Sequence, residues 1–500
     1  ASVTLSRDLL AEVLPGTGAV SVAVSPLTAL DVPGLLQSLD RYPYGCTEQT
    51  VSRALPLLYV NALAAREAFS IDGALDQRVR DSIDRVLSRQ GSDGSFGLWG
   101  AGGDDPWLDS YVADFLTRAR ERGFAVPQTA FTLALDRLRN FVANTSDVAN
   151  KGEELAYAAY VLARNGRPVM GDLRYLADTQ IGNVRTPLAR AQIAAALALL
   201  GDRGRAQAAF TSAVERLREL RDTANYRHDY GSRLRDGAGV LTLAYEAGSG
   251  PQVMPSVSRV IEDERSARRS TSTQDEAWMV LAAQALAKQA EGISLTVNGA
   301  VQKGALYRTY REGTLDAGPV TIANTGSAAV QMVVGVAGNP IGFEPALSRG
   351  FKVDRAYYKL DGTKLESAQG LMPVRQNERF VAVLTVTEEN ARAGRLLLVD
   401  RLPAGFEIDN PNLVDGGAVA NFDWLKSEVT PSHTEYRDDR FVAAFERSSE
   451  LKSPFTVAYM VRAVAPGRYV HPPAAIEDMY APERFGRTGF GTLEVAPASQ

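Results

Sequence analysis

Two kinds of predicted helix alternate between about residues 34 and 291. One kind is apolar on nearly every side and rich in small residues, as in ELAYAAYVLARNG, RAQIAAALALLGD, DGAGVLTLAYEAG and DEAWMVLAAQALAK. The other kind is amphipathic, as in GALDQRVRDSIDRVLSR and AQAAFTSAVERLREL. A helix that is apolar all round must be covered on most sides, whereas an amphipathic helix can face water. The alternation therefore predicts helical hairpins closed into a ring, an α/α toroid; the alternative is an irregular helical bundle.

The regions on either side of these helices have the alternating pattern of β-strands. The first 33 residues contain AVSVAVSPL, and alternation returns after residue 291 in segments such as PVTIANTGSAAVQMVVGVAG and RFVAVLTVT. Because the initial strands are too few to form a sheet alone, we expect them to pair with strands after residue 291. The predicted limits are 1–33 for the first strands, 34–291 for the toroid, 292–349 for the rest of the first β domain and 350–500 for a second β-sandwich.

Composition excludes several classes of function. The net charge of the 500 residues is −5, and no basic stripe interleaved with aromatic residues suggests a nucleic-acid partner. One cysteine cannot form an internal disulfide, and three histidines (His228, His433, His471) with one thiol argue against a metal site. We therefore expect no metal and no cofactor. The N-terminus lacks a signal pattern, so we expect a removed signal or a chain cut from a longer protein.

The single cysteine lies in RYPYGCTEQT, residues 41 to 50, three positions before a glutamine. A buried, unreactive cysteine is the ordinary expectation. A cysteine hydrolase would need a base, and no histidine lies within 180 residues of Cys46, so only a fold contact with His228 could supply one. The spacing of Cys46 and Gln49 instead places both side chains on one face of a helical turn. Attack of the sulfur on the glutamine amide, with loss of ammonia, would close an internal thioester.

The segment YPYGCTEQT resembles the Cys-x-Glu-Gln thioester motif of the alpha-2-macroglobulin and complement superfamily, in its bacterial alpha-2-macroglobulin form. GSDGSFGLWG with the following DPWLDSYVADFLTRARERGFAVP resembles the thioester-domain hairpin, and STQDEAWMVLAA resembles the last inner helix. APGRYVHPPAAIEDMYAPERFGRTGFGTLEV resembles the end of the last β domain. Thr47 replaces the glycine of eukaryotic relatives, at a position where bacterial members vary.

This resemblance covers nearly the whole chain and implies a multidomain fold. The thioester domain, an α/α toroid, is inserted in a β-sandwich CUB-like domain, and a C-terminal macroglobulin-like (receptor-binding-like) β-sandwich follows. The implied function is a protease trap rather than an enzyme. A protease cuts a bait region, the molecule rearranges, and the thioester couples to the protease, usually through lysine amines. No bait region is identifiable, so the resemblance implies the C-terminal portion of a larger parent chain that is periplasmic and lipid-anchored.

A stored thioester must be protected from water. In relatives, the contact between the toroid and the C-terminal domain buries the bond. We therefore predict Tyr42 and Tyr44, with Met479 and Tyr480, as its cover; ordinary core packing is the alternative for the last two. Complement proteins that acylate hydroxyls use a toroid histidine, and none stands at the comparable place here. The resemblance thus implies amines as acceptors, and His228 is expected to be an exposed loop residue.

Two other functions share features with this sequence. QGSDGSF has the Q-x3-G-x-aromatic spacing found in terpene cyclases, whose helices also form toroids, but the Asp-x-Asp-Asp motif of those enzymes is absent. Asp104 and Asp105 are better interpreted as a loop and cap ahead of the helix at Trp107. A surface adhesion module that uses the thioester as an anchor is the other alternative.

Overall fold

The computed structural model separates into two compact units, one formed by about residues 1–341 and the other starting at Gly342. The residues that it describes are 1–27, 29–41, 45–60, 75–221, 226–327, 329–365, 371–411, 422–425, 429–450 and 453–498.

The α-helices lie mainly in the first unit. Their bounds are α1 Val32–Arg41, α2 Thr47–Ala54, α3 Leu75–Leu87, α4 Pro106–Glu121, α5 Gln128–Asn144, α6 Val148–Arg164, α7 Met170–Tyr175, α8 Pro187–Leu199, α9 Arg203–Glu219, α10 Arg233–Glu246, α11 Gly250–Ala267, α12 Thr273–Ala285, α13 Ala287–Ala290 and α14 Glu312–Asp316.

Six of these helices form a closed inner ring. In the order α2, α4, α6, α8, α10 and α12, each helix contacts the next, and α12 contacts α2. The inner helices are buried over almost their whole length, as their all-round apolar sequences require. The amphipathic helices α3, α5, α9 and α11 bury one face against this ring. The predicted α/α toroid is therefore confirmed.

Strands from before and after the toroid share two sheets. The strands of the first unit are β1 Ser2–Leu5, β2 Ala19–Ser25, β3 Ser294–Val297, β4 Ala300–Lys303, β5 Leu306–Arg311, β6 Val320–Asn324 and β7 Gln331–Ala337. Within the described residues, one sheet has the order β1-β6-β3-β4 and the other the order β5-β2-β7. Because β1 pairs with β6, and β2 pairs with β5 and β7, all of which follow the helices in the chain, the toroid is an insertion in this β domain.

The second unit is a β-sandwich. Its strands are β8 Leu347–Arg349, β9 Phe351–Tyr358, β10 Lys364–Leu365, β11 Leu371–Arg375, β12 Arg379–Glu388, β13 Gly394–Arg401, β14 Phe406–Ile408, β15 His433–Arg437, β16 Arg440–Arg447, β17 Phe455–Ala463, β18 Gly467–His471, β19 Ala474–Asp478, β20 Phe485–Arg487 and β21 Gly491–Ala496. In the described part, its sheets have the orders β10-β9-β12-β17-β14, β15-β16-β13-β19-β20-β8 and β11-β21-β18. Buried apolar side chains from all three sheets form one core. The finer domain limits given above stay predictions.

A buried cluster of charges joins three inner helices of the toroid. Arg118 on α4 is fully buried; it donates to Asp114 at 2.9 Å and to Glu246 on α10 at 2.7 Å. It also donates to the hydroxyl of Tyr160 on α6 at 3.1 Å. Burial acts to lower the pKa of Arg118, but the carboxylates of Asp114 and Glu246 raise it well above its ordinary value. The guanidinium therefore remains charged and ties α4 to α6 and α10.

The start of α4 confirms one local prediction. Asp105 is the N-cap, and its carboxylate accepts the backbone N–H of Leu108 at 3.0 Å. Asp104 is exposed. Both residues therefore occupy the loop and cap positions expected of them.

None of the helices in the described part of the chain is long and apolar enough to cross a membrane.

Candidate functional site

Cys46 and Gln49 face each other at the N-terminus of α2. Cys46 is the N-cap, with an extended backbone at φ −61° and ψ 168°. Its sulfur accepts the backbone N–H of Gln49 at 3.4 Å, and its own backbone N–H donates to Gln49 Oε1 at 3.3 Å. This reciprocal pair is a capping box in which cysteine takes the place of serine. Both side chains are fully buried, with 0% exposure.

The capping geometry suits a reaction between the two side chains. The sulfur lies at the positive end of the helix, where backbone N–H groups stabilise developing negative charge. The backbone N–H of Cys46 polarises the Gln49 carbonyl and is placed to stabilise an oxyanion there. The sulfur and the amide carbonyl are therefore each contacted by a backbone donor of the same turn.

The motif glutamate is held in a polar network inside the toroid. Glu48 is fully buried and accepts from Ser52, from Gln274 Nε2 at 2.8 Å and from Thr273 Oγ1 at 3.2 Å. The hydroxyl of Tyr111 lies 2.9 Å from Ser52 Oγ, and burial together with the charge of Glu48 raises the pKa of this tyrosine. The network joins α2 to α12, the first and last helices of the inner ring. Sequence reasoning singled out the start of α12 as a segment but missed these contacts.

A glycine-rich loop, residues 91–103, lies against the motif. The backbone N–H of Thr47 donates to Leu98 O at 2.8 Å, and its hydroxyl donates to Gly97 O. A Cβ at Gly97 would lie 2.3 Å from the carbonyl oxygens of Gly100 and Gly102, so only glycine fits there. The loop segment that resembles the family hairpin thus touches the residue next to Cys46.

A buried carboxylate anchors this loop to α4. Asp109 Oδ1 accepts the backbone N–H of Phe96 at 2.6 Å, and its Oδ2 accepts from Arg137 Nε at 3.3 Å. Burial raises the pKa of Asp109 to about 7, although the Phe96 amide and Arg137 act in the opposite direction. The loop is therefore held by side chains of the toroid itself.

Four other residues were predicted to cover the thioester. Tyr42 and Tyr44 lie outside the described residues. Met479 is buried and Tyr480 is partly buried in the second unit, where Met479 N–H donates to Arg395 O at 2.9 Å. Their role as a cover stays a prediction. His228 is exposed, as expected of a loop residue. Among the residues described, no group of three or more histidine, cysteine or acidic side chains is arranged to hold a metal ion.

Two domain families match parts of the chain. Residues 20–140 match the A-macroglobulin TED domain, and residues 350–483 match the bacterial alpha-2-macroglobulin MG10 domain. Alpha-2-macroglobulin of Escherichia coli (strain K12) is 30% identical over 505 residues, which cover 96% of this chain and 30% of that protein. That of Xylella fastidiosa (strain Temecula1) is 30% identical and covers the whole chain and 31% of the relative.

Solved structures agree with these matches. A crystal structure of native E. coli alpha-2-macroglobulin, from domain MG7 to the C-terminus, has a TM-score of 0.83 at 27% identity, covering 99% of this chain and 80% of that one. Salmonella alpha-2-macroglobulin reacted with methylamine has a TM-score of 0.83 at 30% identity, covering 99% of this chain and 33% of that one.

A helical toroid of the TED type, inserted in a β domain and followed by a macroglobulin-like domain, defines the macroglobulin class of proteins. The chain belongs to the bacterial alpha-2-macroglobulin family and corresponds to a C-terminal portion of its members. It spans about a third of the length of the curated relatives described above, 30% and 31% respectively.

Proposed function

We propose that Cys46 and Gln49 form an internal thioester through which the parent protein captures attacking proteases covalently. The observation that carries this proposal is the reciprocal hydrogen bonding of two fully buried side chains at the start of α2. Membership of the alpha-2-macroglobulin family supports the trap over an adhesion module. The relative from Salmonella that has been reacted with methylamine supports an amine-reactive site.

The bond forms by condensation within the chain. Cys46 Sγ attacks Gln49 Cδ, the Sγ–Cδ bond forms, and the Cδ–Nε2 bond breaks. The amide nitrogen leaves as ammonia and takes the thiol proton, so no oxidant or external group is needed. The backbone N–H of Cys46 would stabilise the tetrahedral oxyanion on Oε1.

Capture uses the stored acyl group. A lysine amine of the protease attacks Gln49 Cδ, an amide forms, the Cδ–Sγ bond breaks, and the sulfur leaves as a thiol. The burial of the pair keeps water away before activation. The bait that the protease cuts would lie in the rest of the parent chain. On the family resemblance, we propose a periplasmic, lipid-anchored location.

The intact mass of the purified full chain tests the proposal. Because one ammonia is lost, we expect a mass about 17 Da below the sequence mass and no alkylatable thiol at Cys46. Methylamine should add to the chain and release one thiol in equal amount. A chain at its full sequence mass, with a thiol that is accessible after unfolding and no methylamine adduct, would contradict the proposal.

We expect the acyl group to be transferred to amines in preference to hydroxyls. At the described site the backbone N–H of Cys46 donates to the Gln49 carbonyl, and no histidine follows the motif at the place used by hydroxyl-acylating relatives. The more nucleophilic amine should then react faster without a base. Competition between methylamine and glycerol at neutral pH, followed by mass spectrometry of the peptide containing Gln49, measures the ratio. Comparable amounts of ester and amide would overturn this expectation.

A further inference from the structure

One arginine side chain connects both residues that flank the cysteine. Arg89 Nη2 donates to the carbonyl oxygen of Gly45 at 2.7 Å. Its Nη1 donates to Thr47 Oγ1 at 3.1 Å and to Leu98 O at 3.4 Å. The guanidinium therefore touches the residue before Cys46, the residue after it and the glycine-rich loop.

The backbone of Arg89 organises the same loop. Its carbonyl oxygen accepts the N–H of Gly97 at 3.2 Å and the N–H of Gly102 at 3.0 Å. The main chain of Arg89 thus holds the glycine-rich loop in shape while its side chain holds the motif. This residue follows α3 and belongs to neither segment.

The hydrogen bond from Arg89 to the Gly45 carbonyl oxygen polarises the peptide group that joins Gly45 to Cys46. Gly45 C=O and Cys46 N–H are the two ends of one planar peptide group. The N–H end of that group donates to Gln49 Oε1, the oxygen on which negative charge develops. A cation on the carbonyl end fixes the plane of the peptide, and polarisation along a chain of hydrogen bonds makes the N–H a stronger donor.

We propose that Arg89 is a positioning residue for the thioester chemistry, acting on Gln49 Oε1 through the Gly45–Cys46 peptide group. This inference rests on the proposed function. Condensation and aminolysis both pass through a tetrahedral oxyanion at Gln49 Cδ, so Arg89 assists both reactions. Arg85 Nη2 lies 3.3 Å from the same Gly45 oxygen and supplies a weaker second contact.

The test compares Arg89→Gln and Arg89→Lys with the wild-type full chain. Removing an oxyanion donor outright costs about 100- to 1,000-fold in rate, so loss of a residue that acts through the donor should cost about tenfold. We expect the second-order rate constant for methylamine to fall by that factor in Arg89→Gln, and by less in Arg89→Lys, which keeps the charge. Arg80→Gln, an exposed change on α3, is the matched control and should react as the wild type does.

Whether the methylamine rate constant falls or rises distinguishes a positioning role of Arg89 from a purely structural one. A structural role would loosen the site, lower the melting temperature and speed both hydrolysis and methylamine addition. A slower reaction at an unchanged melting temperature supports the proposal, and so does a folded Arg89→Gln chain that retains its ammonia. A rate equal to or above the wild-type rate overturns it.

Three further outcomes are each decisive. If Arg89→Gln does not fold, Arg89→Lys decides: a lower rate supports the proposal and an equal rate overturns it. If the wild-type chain itself lacks the mass loss and the methylamine adduct, the thioester proposal fails, whatever the variants do. If the wild-type chain has both and the Arg89 variants match it, only the role of Arg89 fails.

Discussion

Replacing Cys46 by serine should abolish covalent capture completely while leaving the fold in place. Serine is a preferred N-cap, so its hydroxyl can accept the Gln49 N–H as the sulfur does. A hydroxyl does not displace the amide nitrogen, so the ammonia stays on the chain. The variant should therefore have its full sequence mass. In the full-length parent protein, a protease that cleaves the bait should form no adduct that survives denaturing electrophoresis.

A second variant checks the other partner of the bond. Gln49→Glu leaves Cys46 intact but replaces the amide by a carboxylate, which a thiolate does not attack. The same loss of adduct is expected, now with a titratable thiol after unfolding. Both variants should lose at most a few kcal/mol of stability. Persistent covalent protease complexes in Cys46→Ser would show that capture uses another group.

Replacing Arg118 by leucine should strongly destabilise the toroid. The change leaves the fully buried carboxylate of Asp114 without its cation, with only the hydroxyl of Tyr157, among the described side chains, still donating to it. Glu246 is 27% exposed and keeps its ion pair with Arg164 at 3.1 Å. Breaking a buried ion pair by removing one partner costs about 3–5 kcal/mol. Urea unfolding followed by helical circular dichroism should show this loss as a lower midpoint.

An exposed ion pair provides the control. Arg205 pairs with Asp178 at 2.8 Å, with side chains 41% and 45% exposed, so Arg205→Leu should leave the urea midpoint close to that of the wild type. The double variant Arg118→Leu with Asp114→Leu should recover part of the stability, because it removes the buried carboxylate that Arg118→Leu leaves without a cation. Equal midpoints for Arg118→Leu and Arg205→Leu would refute a major role for the buried cluster.

The inner and outer helices of the toroid could be predicted because the apolar pattern of each helix alone indicates how far it is buried. A stretch such as RAQIAAALALLGD is apolar on all sides and must be inside, and α8 is buried accordingly. The spacing of Cys46 and Gln49 similarly indicates one helical turn, since residues three apart share a face. The cap at Asp105 is equally local. These features depend on neighbours only a few residues away, and the sequence alone determined them.

The residues that contact the Cys46–Gln49 segment could not be predicted from the sequence, because the tertiary structure brings them there. Arg89 reaches Gly45 across 44 positions, and Gln274 reaches Glu48 across 226 positions, because the toroid closes and brings α12 beside α2. No periodicity in the sequence marks such pairs, and an arginine in LSRQGSDG has the pattern of an ordinary surface residue. Closure of the helical ring determines which polar side chains, far apart in the sequence, come into contact. The sequence therefore determined that Cys46 and Gln49 share one helical turn, whereas only the tertiary structure decided which residues hold this pair in place.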